Sequence, residues 1–267
     1  MGSPEHLISG LSSLRKAATL SIASQLLVGL ASAVFLFFVF LGLIAVLTGG
    51  PESLVEELLR SGALEPFVIA LISFLIAAIA LFFIAAILGL LATFVFLVPG
   101  VGKLAKWSSA FETPAKLVKW GYWSALALGA LALLVVVASF EPLVQAILQQ
   151  ARPEPHVFAL QLVPGLSAAL ALAVLAGIAY LVGFAGLVIA LFELSSQTKV
   201  GGFKVGAILL IAGLALNLVG VLEGSFWVSL LAVAATIIGW IFARDAAGKA
   251  LAAALPPPPP PPPSAPA

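Results

Sequence analysis

The chain has 267 residues, 63% of them hydrophobic and only 9% charged, with a formal net charge of +1. A water-soluble domain carries about 25% charged side chains, so there is too little polar surface here to cover a soluble core. The near-zero charge gives no basic surface for nucleic acid. The absence of cysteine excludes disulfides and thiolate metal sites.

The N-terminal segment, residues 1–16, is mixed in polarity and ends in Arg15 and Lys16. The apolar run that follows, Ala17–Thr48, is far longer than the roughly 7–15 residues of a signal-peptide core, so it is expected to remain as the first membrane span. Five further runs are each close to, or beyond, the roughly 20 residues that cross a bilayer: Pro66–Val98, Gly121–Phe140, Leu162–Phe192, Val205–Leu222 and Phe226–Ala243. The first, second and fourth runs exceed what a bilayer needs and must tilt, kink or project into the interface. Only Glu223, Gly224 and Ser225 separate the fifth and sixth. Those two form a tight hairpin that either crosses fully or dips in and returns.

Basic residues alternate with these runs. Arg15 and Lys16 precede the first; Lys103, Lys106, Lys116 and Lys119 fill the second gap; Lys199 and Lys204 fill the fourth; Arg244 and Lys249 follow the last. The other gaps hold only Arg60 and Arg152. Loops on the cytoplasmic side collect Lys and Arg, so both termini are expected in the cytoplasm and the number of spans is even. Acidic residues favour the opposite face, a weaker signal.

Two outer gaps read as short amphipathic helices. Pro51 opens the first, with Leu54, Val55, Leu58 and Leu59 as its stripe and Glu52, Glu56, Glu57 and Arg60 opposite. Pro142 opens the second, with Leu143, Val144, Ile147 and Leu148 against Gln145, Gln149 and Gln150. The shared pattern marks either a duplicated helix–cap–helix unit or the ordinary look of Leu-rich interfacial helices. Trp107, Trp120, Tyr122, Trp123, Trp227 and Trp240 fall near span ends, where interface anchoring is the default role.

The chain ends in a cytoplasmic tail, 245–267, with an unbroken proline run from Pro256 to Pro263. Such a run favours the extended polyproline II form. It is either a stiff end or a docking peptide for a cytoplasmic partner with an aromatic groove.

Chemistry-bearing residues are scarce. His6 and His156 lie on opposite sides of the expected bilayer, the only aspartate is Asp245, and Gly201-Gly202 lacks the Lys-Ser/Thr of a phosphate loop. No catalytic, cofactor or metal site is expected. The intramembrane polar candidates are Gln25 in the first span and Asn217 in the fifth. Each either lines a solute path or hydrogen-bonds a neighbouring helix. Small-residue spacings at Gly202–Gly206, Gly220–Gly224, Ala85–Gly89 and Ala173–Gly177 permit close helix approach.

Three stretches carry a family resemblance: Gly10-Leu-Ser-Ser-Leu-Arg-Lys-Ala-Ala18 before a long apolar run, Phe111-Glu-Thr-Pro114 leading to Gly121-Tyr122, and Lys204-Val-Gly-Ala-Ile-Leu-Leu210 with Asn217. Together with the proline-rich tail, they resemble a domain-of-unknown-function family of archaeal, chiefly crenarchaeal, polytopic membrane proteins. The resemblance implies an archaeal plasma membrane and supplies no activity or catalytic residues. Absent Cys, one Met and one Asn suit a hot environment.

The expectation is therefore an all-α bundle, residues 17–244, of six transmembrane helices in three hairpins with short outer amphipathic helices. Its partners are the lipid bilayer and membrane proteins or further copies of itself. The leading functional expectation is a non-enzymatic structural or assembly component of the plasma membrane. The alternative is a small-solute permease or a channel or translocation subunit.

Overall fold

A computed structural model describes residues 2–47, 60, 64–148 and 155–255. Among them every long element is helical. We number them α1 (Pro4–Leu47), α2 (Leu64–Leu90), α3 (Val98–Trp107), α4 (Glu112–Leu148), α5 (Pro155–Thr198), α6 (Gly202–Glu223) and α7 (Phe226–Ala254). A π-helical segment, Leu91–Leu97, joins α2 to α3, and a 3₁₀ turn, Ser109–Phe111, joins α3 to α4. Six stretches of these helices are long and apolar enough to cross a membrane. The protein is an all-α, multi-pass membrane protein.

The surface explains why lipid is required. Large apolar side chains stand outward along the helices: Phe83 is 68% exposed, Leu170 67%, Val221 71% and Leu222 85%. A soluble protein does not tolerate so continuous an apolar exterior, whereas hydrocarbon is a good solvent for it. Among the described residues no polar or charged residue is buried. Hydroxyl groups along the helices donate to the carbonyl one turn back: Ser73 to Ile69, Ser139 to Val135, Thr198 to Leu194 and Thr236 to Ala232, at 2.6–2.9 Å. In hydrocarbon an unpaired donor is costly, and this local bond removes the need for a distant partner.

The helix ends depart from the apolar runs in the sequence. Residues 4–16 belong to α1, which continues into the first span without a break. At 1.5 Å per residue its 44 residues reach about 66 Å, roughly twice the hydrocarbon thickness. Helix α7 likewise continues past Arg244 to Ala254. Helix α4 runs unbroken through Pro142 to Leu148, so the second outer cap is a continuation of the third span rather than a separate helix. The first outer cap lies outside the described residues except for Arg60, as does the proline run. The 22 residues of α6 reach about 33 Å, enough to cross fully.

Near the end of the second span, Pro99 has no N–H to give to the carbonyl of Val95. The helix widens just before it, and the Val98 N–H bonds back five residues to the Thr93 carbonyl. A π-segment of this kind is one of the few ways a helix absorbs an unpaired position.

The chain divides into two compact units interleaved in sequence: Met1–Gly10 with Gly100–Lys199, and Leu11–Pro99 with Val200–Ala267. In the first, the start of α1 lies along α3, with the Gly2 N–H donating to the Trp107 carbonyl at 2.7 Å. Helices α4 and α5 pair beside them. Gly121 meets the backbone of Gly183, and Gly186 seats against Leu117, Val118 and the Pro114 carbonyl. Tyr122 stacks edge-on with Tyr180, their ring centroids 5.6 Å apart. In the second unit, α1 runs antiparallel to α2. Ser24 donates to the Ala85 carbonyl at 2.8 Å, and the Lys16 ammonium lies 5.8 Å from the Phe96 ring centroid. Helices α6 and α7 form the hairpin of this unit. Gly224, with φ 62°, makes the left-handed turn that closes it, a conformation glycine adopts without a Cβ clash.

Candidate functional site

Gln25 lies half-buried on α1, next to Ser24, and Asn217 is exposed on α6. No side-chain hydrogen bond of either appears among the described residues. Neither residue lines any of the three cavities described below. The interhelical bond expected of this kind of residue is made instead by Ser24. Its hydroxyl also lies against Gly89, so the Ala85–Gly89 spacing serves to admit α1.

The aromatic residues divide. Trp120, Trp123 and Trp227 are 67%, 49% and 72% exposed, as anchors in an interface would be. Trp240 is only 9% exposed and Tyr122 only 6%, so these two pack within the protein and are not anchors. Of the small-residue spacings, Gly206 and Gly220 lie in close helix contact, whereas Gly177 faces open space.

One cavity sits at the depth of the spans in the second unit. It has about 350 Å³ and is lined by apolar side chains, among them Phe82, Phe226 and Leu230, with the hydroxyls of Ser32 and Ser229. Two further cavities lie between the N-terminal part of α1 and the C-terminal part of α7. The larger, about 540 Å³, is bounded by Arg15, Lys16, Thr19, Leu20, Phe96 and Leu251. The smaller, about 310 Å³, is bounded by Arg15, Arg244, Asp245, Gly248 and Lys249. Arg15 borders both. Its guanidinium carbon would lie 4.0 Å from a methyl group placed at Gly248, so Gly248 gives the guanidinium room beside α7.

The charges there are unequal. Lys249 and Asp245 pair at 2.8 Å, one turn apart on α7. Among the described residues Arg15 and Arg244 have no ion-pair partner. The pattern that flagged these residues in the sequence was topological; nothing in their spacing showed that residues 15 and 244, more than two hundred positions apart, meet in one place. Elsewhere, Gln197 near the end of α5 donates to Ser108 at 3.3 Å, while its buried Oε1 has no partner among the described residues. Among the described residues no three His, Asp or Glu side chains come together as a metal site needs.

No protein-family model matches the chain, and neither a curated protein nor a solved structure does.

Proposed function

We propose that this protein is a non-enzymatic structural or assembly component of the plasma membrane, with both termini in the cytoplasm. The observation that carries this reading is the composition of the buried set: among the described residues it is wholly apolar, dominated by Ala and Leu, with glycines at the helix contacts. A solute path through hydrocarbon needs polar groups facing a wet interior. Here Ser73, Ser139 and Thr236 bond to their own helices, Ser24 bonds to a neighbouring helix, and the one asparagine is exposed. Helices packed through apolar side chains and glycines in this way suit a protein whose task is to hold position and contact neighbours within the bilayer.

Reconstitution tests this directly. Proteoliposomes of the purified chain should release small neutral and charged solutes no faster than empty liposomes. The Asn217→Leu variant should fold and behave as the parent, since the residue it replaces faces outward. Saturable, protein-dependent flux that Asn217→Leu abolishes would refute the structural reading and establish the permease alternative.

A further inference from the structure

We propose that the two cavities bordered by Arg15 together form a binding site for one anionic phospholipid, whose phosphate is held by Arg15, Lys16 and Arg244. The inference goes beyond the structural role proposed above and does not require it.

Three observations meet here. The first is charge. With Lys249 neutralised by Asp245 at 2.8 Å, the cluster keeps the charges of Arg15, Lys16 and Arg244. These exceed the single negative charge of a phospholipid's phosphodiester. Arginine presents a planar fork of donors that matches phosphate oxygens, and it holds its charge at any physiological pH. The two arginines are also the members without an ion-pair partner among the described residues. The second is shape. The larger cavity is polar at Ser12, Arg15, Lys16 and Thr19 and apolar at Leu20 and Phe96, the two lining residues that lie within apolar runs. A free anion would use only the polar end. A phospholipid uses both, with its headgroup at the arginines and the start of an acyl chain against Leu20 and Phe96. The third is position. Arg15 and Lys16 stand immediately before the apolar run of α1, and Arg244 immediately after that of α7. The cluster is therefore at headgroup depth, and basic pockets between membrane helices at that depth suit acidic headgroups.

Lys16 also explains why the site selects an amphiphile. Its ammonium lies over the Phe96 ring at 5.8 Å, and Phe96 belongs to the π-helical segment before Pro99. The widened backbone thus carries an aromatic ring that lies beside the Lys16 ammonium and lines the apolar part of the cavity.

The test uses the full chain in mixed micelles containing a trace of spin-labelled phosphatidylglycerol, displaced by unlabelled lipid. Unlabelled phosphatidylglycerol should displace the probe saturably, and phosphatidylcholine should not. Inorganic phosphate should fail to displace it at concentrations where the lipid succeeds. Raising the salt should weaken binding, because the phosphate contact is a charge contact at a wet surface. Arg15→Gln with Arg244→Gln should weaken binding about thirtyfold, near fivefold for each basic charge removed. Lys116→Gln with Lys119→Gln, which removes two charges from the start of α4, should leave it unchanged. Equal displacement by phosphatidylcholine would overturn the proposal, as would displacement by inorganic phosphate alone, which would make this a free-anion site. Equal loss in the two double variants would overturn it too, by showing only general attraction to a basic surface. If the arginine variant fails to fold, the lipid comparison and the salt series on the unaltered chain decide the question alone.

Discussion

Two helix pairs, one in each unit, solve the same packing problem differently. In α6–α7 the approach is continuous. Gly206, Gly213 and Gly220 recur every seven residues along α6. They meet Gly239 and Ala243, then Ala232 and Thr236, then Ser229 on α7. A methyl group at Gly206 would lie 2.9 Å from the Gly239 carbonyl oxygen, so backbone meets backbone. Seven residues is two helical turns, and that repeat keeps one face toward a partner. In α4–α5 the approach is local. Gly121, Gly183 and Gly186 bring one end of the pair together around Tyr122, and Gly165 touches Ser139 near the other end, while Gly129 and Gly177 face open space. Without a hydrophobic drive between helices in lipid, close packing of small residues supplies the association. The hairpin with the three-residue connection has the periodic seam; the other pair has two separate contacts.

Breaking the seam should have the largest effect. Gly206→Leu inserts a side chain where the Gly239 carbonyl already stands, with backbone rather than a movable side chain as the obstacle. We expect a loss of about 3 kcal/mol or more, at the upper end of overpacking costs, read by reversible unfolding in mixed micelles. Gly121→Leu tests the local contact. It should cost about 1–3 kcal/mol and leave cross-linking between cysteines introduced across α6 and α7 intact. A loss of that cross-link would show that the two pairs are not separate packing problems. Ser24→Ala removes the single hydroxyl joining α1 to the Ala85 carbonyl and should cost about 0.6 kcal/mol. Gly177→Leu is the smallest of the series. Its position is open, so it should change stability by no more than about 0.5 kcal/mol. A large loss there would mean that α5 has a neighbour on that face.

Much of this architecture is legible before any coordinates. Apolar length alone locates six spans, because the bilayer demands it of every crossing segment. The helix ends are less legible. Residues 4–16 and 245–254 are polar enough to fall outside an apolar run, yet they form helix that continues α1 and α7, since the backbone bonds of a helix do not depend on hydropathy. Partner identity is harder still. Gly206 was visible as half of a spacing with Gly202, but the stronger signal was the seven-residue recurrence through Gly213 to Gly220. The opposing residues on α7 cannot be read from α6. Trp240 looks like an interface anchor by position and is buried by packing, because its depth is set by where α7 begins and its direction by a helical face that the apolar run does not mark. Arg15 and Arg244 were both visible as cytoplasmic charges. Their meeting was not, since it depends on how α1 lies beside α7.

The central claim is that the six helices all cross, with the basic loops on one side. The chain has no native cysteine, so single cysteines report position without interference. In intact cells, Glu57→Cys and Gln150→Cys should react with a membrane-impermeant thiol reagent, whereas Lys106→Cys and Lys199→Cys should react only after the membrane is opened. Labelling of Lys106→Cys or Lys199→Cys from outside would contradict the account.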